Sequence, residues 1–183
     1  MNRVHPLVWA FIATVILIGA GVWFFTKNQT LSGSGDSDQP ARVSKSVEGV
    51  EEFEIIGREH IAQDTAGSGY NSNPPTSGVH WASPARNGVH DEVLSDERLI
   101  HNLEHGHVWL TYKPDIDGQI KEELKKIVEN DDWKVVMAPR DKNDTKIALV
   151  AWGRVLRLDT PDYDKVRDFI KTYRNRGPEK TPD

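Results

Sequence analysis

The sequence predicts an α+β fold: a small, mainly antiparallel sheet with helices packed on one face, preceded by an N-terminal transmembrane helix. Three observations carry this reading. Two segments repeat apolar residues with a helical period, several short β-rich runs lie between them, and one uninterrupted apolar stretch stands ahead of everything else.

That stretch, LVWAFIATVILIGAGVWFF, covers residues 7–25 without a charge. As a helix it would rise about 28 Å, roughly the hydrocarbon thickness of a bilayer. Trp9 and Trp23 sit near its ends, where amphipathic rings favour the interface. A cleaved signal peptide is the rival reading. The run exceeds the usual signal core, however, and Val22, Trp23, Phe24 and Phe25 suit a small-residue cleavage site badly. Residues 1–6 form the flank of this anchor. Arg3 before it, and Asp36 and Asp38 after it, give a weak charge asymmetry that favours an external C-terminal domain. Residues 26–47, rich in Ser, Gly and Asp, read as a flexible linker. Residues 48–179 then form a single globular domain, and 180–183 a tail.

Within the domain, EEFEII (51–56) suits a short strand, followed by a long segment to Leu94 with no regular period. A loop of that length is usually functional. SDERLIHNLEHG predicts a helix, with Ser95 to cap it, Asp96 and Glu97 in its first turn, and Gly106 to end it in a left-handed conformation. HVWLTYK (107–113) predicts a strand, and Ile116, Ile120, Leu124 and Ile127 mark a second helix. WKVVMAP (133–139) and KIALVAWG (146–153), separated by the charged RDKNDT, suggest a hairpin, with RVLRL extending its second strand. Thr160 and Pro161 open a last helix whose stripe is Val166, Phe169, Ile170 and Tyr173.

Net charge is −5 with no basic stripe, which argues against a nucleic-acid partner. The chain lacks cysteine, so neither a disulfide nor a thiolate ligand operates. Histidine is the conspicuous residue: three of the seven fall in HNLEHGH, residues 101–107. His101 and His105 are four apart on the predicted helix, so both imidazoles share a face and can reach one ion. The string H-x-x-E-H also describes the inverted zinc-peptidase motif, in which the glutamate, here Glu104, activates water. Glu104 can equally serve as an outer partner that orients an imidazole. The hydrolase reading needs a third ligand, and the downstream glutamates offer no marked candidate, Glu179 standing at the border of the tail. His107 at the strand start is as readily a surface residue as a ligand. His80 follows a rigid proline pair in NPPTSGVHW, and His60 and His90 lie in less rigid surroundings. Met137 is ordinarily core filler; beside imidazoles its thioether would select copper, as Cu(I), over zinc.

YNSNPPTSGVH (70–80), DERLIHNLEHG (96–106), VVMAPR and AWG (151–153) occur in this order. With them the chain resembles a bacterial and archaeal family of membrane-anchored proteins, the domain of unknown function 3105, over about residues 50–179. The resemblance implies that His80, His101 and His105 are motif histidines, that His60 occupies a position often histidine, and that Met137 matches a methionine. His90 and His107 fall outside the pattern. The expected site is therefore His80, His101 and His105 with Met137 as fourth ligand, and Glu104 and His60 as outer or alternative ligands. Three readings follow. The first is a membrane-tethered, externally facing copper-binding protein, anchored in the lipid bilayer through residues 7–25, that sequesters, delivers or senses the ion. The second is a small zinc hydrolase with Glu104 as general base. The third is an interaction or scaffold domain of the cell envelope with a protein partner and no ion.

Overall fold

The computed structural model describes residues 45–182. The predicted flank and anchor (residues 1–25) and most of the linker lie outside these residues. Among the described residues no helix is long and apolar enough to cross a membrane.

Among the described residues eight strands and three helices follow in the order β1 (Val50–Glu52), β2 (His60–Ile61), β3 (His80–Trp81), β4 (Gly88–Val89), α1 (Asp96–Glu104), β5 (Val108–Tyr112), α2 (Gly118–Asn130), β6 (Val135–Pro139), β7 (Ile147–Ala151), β8 (Arg154–Leu158) and α3 (Tyr163–Tyr173). Six strands make one sheet in the order β1-β8-β7-β5-β6-β4, while β2 and β3 pair by themselves. The class is α+β, but the sheet is mixed. Strands β5, β7, β8 and β1 are mutually antiparallel neighbours, whereas β6 and β4 continue the sheet parallel to β5.

The expected hairpin between residues 133–139 and 146–153 does not form. Helix α2 is a crossover that returns the chain to lay β6 parallel beside β5, as a helix-length connection permits. The RDKNDT turn then carries the chain past β5 to its other edge, where β7 pairs antiparallel with it. RVLRL is a strand of its own, β8, and it forms the actual hairpin with β7.

Helices cover both faces of the sheet, not one. Successive side chains of a strand point to opposite faces. Val108, Leu110 and Tyr112 of β5, with Val135 and Met137 of β6, pack with Leu124 and Val128 of α2 and Val166, Phe169 and Tyr173 of α3. The intervening Trp109, Val136 and Ala138 pack instead with Leu99, Ile100 and Leu103 of α1. This explains why β5, β6 and β7 are buried at every residue. A strand with both faces covered needs a continuous apolar run and not an alternating one.

Helix α1 is pinned at both ends. Arg140 donates through Nε and Nη2 to the two carboxylate oxygens of Asp96, each at 2.8 Å. Such a fork-to-fork pair fixes orientation as well as position. At the other end Gly106 has φ +83°, and a Cβ there would come within 2.9 Å of the Asn175 backbone. The residues after α3 are no loose tail. The Asn175 N–H donates to the Gly106 carbonyl at 2.7 Å and the Glu179 N–H to the Glu104 carbonyl at 3.1 Å. The buried Lys134 ammonium donates to the carbonyls of His105 and Thr181 and to the Thr181 hydroxyl. The carbonyls that a helix C-terminus leaves without partners are met here by this C-terminal strap and by one buried cation.

Candidate metal centre

The site is built where the long loop crosses α1. In the parallel pair of β2 and β3, His60 stands opposite His80. Paired residues on neighbouring strands project to the same side about 5 Å apart, and the two rings lie 4.9 Å centre to centre. Strand β3 packs on α1. His101 brings its ring to 5.1 Å from His60, stacked on it, and to 5.2 Å from His80, edge-on. One turn later Glu104 enters the same space, since residues three apart share a helix face. One ligand atom from each of His60, His80, His101 and Glu104 lies within 4.8 Å of all the others. His80, His101 and Glu104 are buried, and the His60 side chain is half exposed.

Backbone carbonyls set the direction of two of these rings. A carbonyl oxygen only accepts, so the His80 Nδ1–H donates to Gly78 at 2.8 Å and the His101 Nδ1–H donates to Trp81 at 2.7 Å. In the neutral rings the Nε2 lone pairs are then turned inward. His80 Nε2 lies 3.0 Å from Glu104 Oε2, and His60 Nε2 lies 3.9 Å from the same oxygen. Two lone pairs so close repel unless a proton or a cation sits between them. Metal-bound histidines are held in this way, with the other ring nitrogen donating to a carbonyl or carboxylate.

Electrostatics favour ligand forms. Burial lowers the His101 pKa below the ordinary imidazole value; the carbonyl of Trp81 opposes the shift, and the neighbouring His105 and His80 reinforce it. Burial pushes the Glu104 carboxyl up, but when the rings carry a second proton the hydrogen bond that His80 Nε2–H then donates, with the charge of His80, His101 and His60, outweighs it. The net shift is downward. Near neutrality the centre therefore offers a neutral His101 and an ionised Glu104, the states a metal requires. Arg58 stands 3.7 Å from the second oxygen of Glu104.

Of the residues expected in the site, His80 and His101 converge. Glu104 and His60, expected only as outer or alternative ligands, converge with them. His105 belongs to a second group with Glu104 and Glu179. Its Nε2 is 3.0 Å from His101 Nε2 and 3.4 Å from Glu179 Oε2. Met137 is not in the site. Strand alternation points its fully buried side chain into the core beneath α2 and α3, on the sheet face opposite α1. His107 is neither a surface residue nor a member of these groups: it is buried, and its Nε2 is 2.8 Å from Asn87 Oδ1.

Two residues that the sequence did not assign to the site hold it together, Asn102 and the Glu179 set aside above. Asn102 of α1 is fully buried; its side chain accepts from Ala85 N–H and donates to the Ala85 carbonyl, each at 2.8 Å. It pairs with the loop as a strand would. A polar residue directly before Leu103, on a helix whose apolar stripe is Leu99, Ile100 and Leu103, was the available signal. Glu179 could have been found only by knowing that the strap folds back.

No curated protein and no solved structure matches this chain. A family model matches residues 60–183, which include His60, His80, His101, Glu104, His105 and Glu179. The chain thus belongs to the family described as protein of unknown function DUF3105.

Proposed function

We propose that this protein is a membrane-tethered metal-binding protein, whose ion is held by His60, His80, His101 and Glu104 and exchanged with the surroundings on the half-exposed His60 side. The observation that carries the reading is the orientation of His80 and His101. Each spends its Nδ1–H on a backbone carbonyl and presents Nε2 to a common space that also contains a carboxylate oxygen. Three imidazoles and a carboxylate form a donor set of borderline softness, suited to Zn²⁺ or Cu²⁺. Cu(I) would want sulfur, and the Met137 thioether lies across the sheet. The anchor is residues 7–25, with the domain facing outward, as the flanking charges favour.

The hydrolase alternative needs His101 and His105 on one ion with Glu104 beside it as a free base. The His101 and His105 Nε2 atoms are 3.0 Å apart, but Glu104 stands within both ligand groups and not as a free base beside them.

The test is a competition titration of the full-length chain in detergent, with Zn²⁺ against a chelator of known affinity. His80→Ala and His101→Ala should each weaken binding by at least about 100-fold, beyond the 10–100-fold typical of losing an outer partner. Met137→Leu should leave it unchanged. Unaltered affinity in both histidine variants would overturn the reading.

A further inference from the structure

We infer that the centre takes two divalent ions, with Glu104 as the bridging carboxylate and the second ion held by His105 and by Glu179 of the C-terminal strap. The inference rests on the four-residue site proposed above and deepens it. Glu104 belongs to both convergent groups, one with His60, His80 and His101 and the other with His105 and Glu179. A carboxylate has two oxygens and about four lone-pair directions, so it can serve two cations. Two-ion centres space their metals about 3.5–4 Å apart. The 3.0 Å between His101 Nε2 and His105 Nε2 places one imidazole from each group at that seam.

Independent of the side chains, the backbone is built to bring Glu179 there. The Glu179 N–H bonds to the carbonyl of Glu104 itself. At Gly177 a Cβ would overlap the Glu104 carbonyl oxygen and the Gly106 nitrogen, so only glycine lets the strap lie this close to the end of α1. Thr181 is then tied to Lys134, which also holds the His105 carbonyl. A strap anchored on both sides of one carboxylate, in contact with the helix that carries the site, positions Glu179 for ligation.

Titration of the full-length chain in detergent with Co²⁺, in excess Mg²⁺ and followed by visible d–d absorption, tests this. The wild type should take up two equivalents. Glu179→Gln, at a half-exposed side chain, should keep the first and bind the second at least about tenfold more weakly. His105→Gln should behave alike, and unchanged circular dichroism would show both variants folded. His60→Ala should impair the first equivalent. A wild type that binds one equivalent, lost in His80→Ala, would overturn the second ion and leave the single site standing. Two equivalents of undiminished affinity in both Glu179→Gln and His105→Gln would likewise overturn it, and a wild type that binds none would remove both proposals.

Discussion

Helices α1 and α2 are both amphipathic and both pack on the sheet, yet they are used differently. The thirteen residues of α2 contribute two fully buried side chains, Leu124 and Val128. The nine residues of α1 bury six, and three of these are His101, Asn102 and Glu104. An ordinary surface helix hides one apolar stripe and wets the rest. On α1 the stripe of Leu99, Ile100 and Leu103 meets the sheet, and the face that should be wet is covered by the loop carrying His60, His80 and Ala85. Burying polar groups is costly unless each finds a partner. The loop supplies those partners. One helix is scaffold; the other is scaffold and site at once.

The contrast breaks most visibly in the core. Leu124→Ala and Leu103→Ala should each cost about 2–5 kcal/mol of unfolding free energy, the usual range for a buried leucine. Only Leu103→Ala, next to Glu104, should also weaken Zn²⁺ binding. Equal effects of both on affinity would show that α1 has no special role. Next in size is the ion's own contribution. At 100 times its dissociation constant Zn²⁺ should stabilise the wild type by about 2.7 kcal/mol. The same increment should appear in Leu124→Ala and vanish in His80→Ala, as thermal denaturation with and without chelator would reveal.

Asn102→Ala should cost about 2 kcal/mol, since it leaves both polar groups of Ala85 without their partner. Loss of metal affinity should accompany it, because that pair clamps the loop to α1. A neutral outcome in both measurements would mean the loop is held without it.

The smallest effect is in pH. The His101 pKa is lowered in the fold, so stability from its neutral form is complete above the unfolded value, about 6.5, and is lost on acidification through the folded value. The Glu104 pKa is lowered too, so its contribution is complete above the unfolded carboxylate value, about 4.3, and falls away below it. Both act in one direction: in chelator the chain should weaken from pH 7 downward, first through His101 and then through Glu104. His101→Gln should flatten the upper part of that curve. A wild-type curve already flat between pH 7 and 5 would contradict the shift assigned to His101.

The helices and the longer strands were legible because local chemistry specified them, as Gly106 does the helix end and the apolar stripe does α3, whereas the two-residue strands β2, β3 and β4 lay hidden in what read as an irregular loop. Topology was not. The unbroken apolar runs of β6 and β7 imply cover on both faces, but which strand lies between them depends on the α2 crossover, a tertiary outcome. The same limit governed the site. Spacing of four joined His101 to His105, and their Nε2 atoms do lie 3.0 Å apart; what the spacing did not show is that Glu104, three along from His101, joins His101 in one group with His60 and His80 of the loop. Met137 followed the opposite logic: one place along β6 decides which face a side chain joins.

X-ray absorption at the zinc edge, on the full-length chain loaded with one equivalent, tests the centre most directly. Three imidazoles and one carboxylate should give a single nitrogen–oxygen shell at about 2.0–2.2 Å, with the outer-shell scattering of imidazole rings and no sulfur. A sulfur shell near 2.3 Å, or a hydrated ion without imidazole scattering, would contradict the site described here.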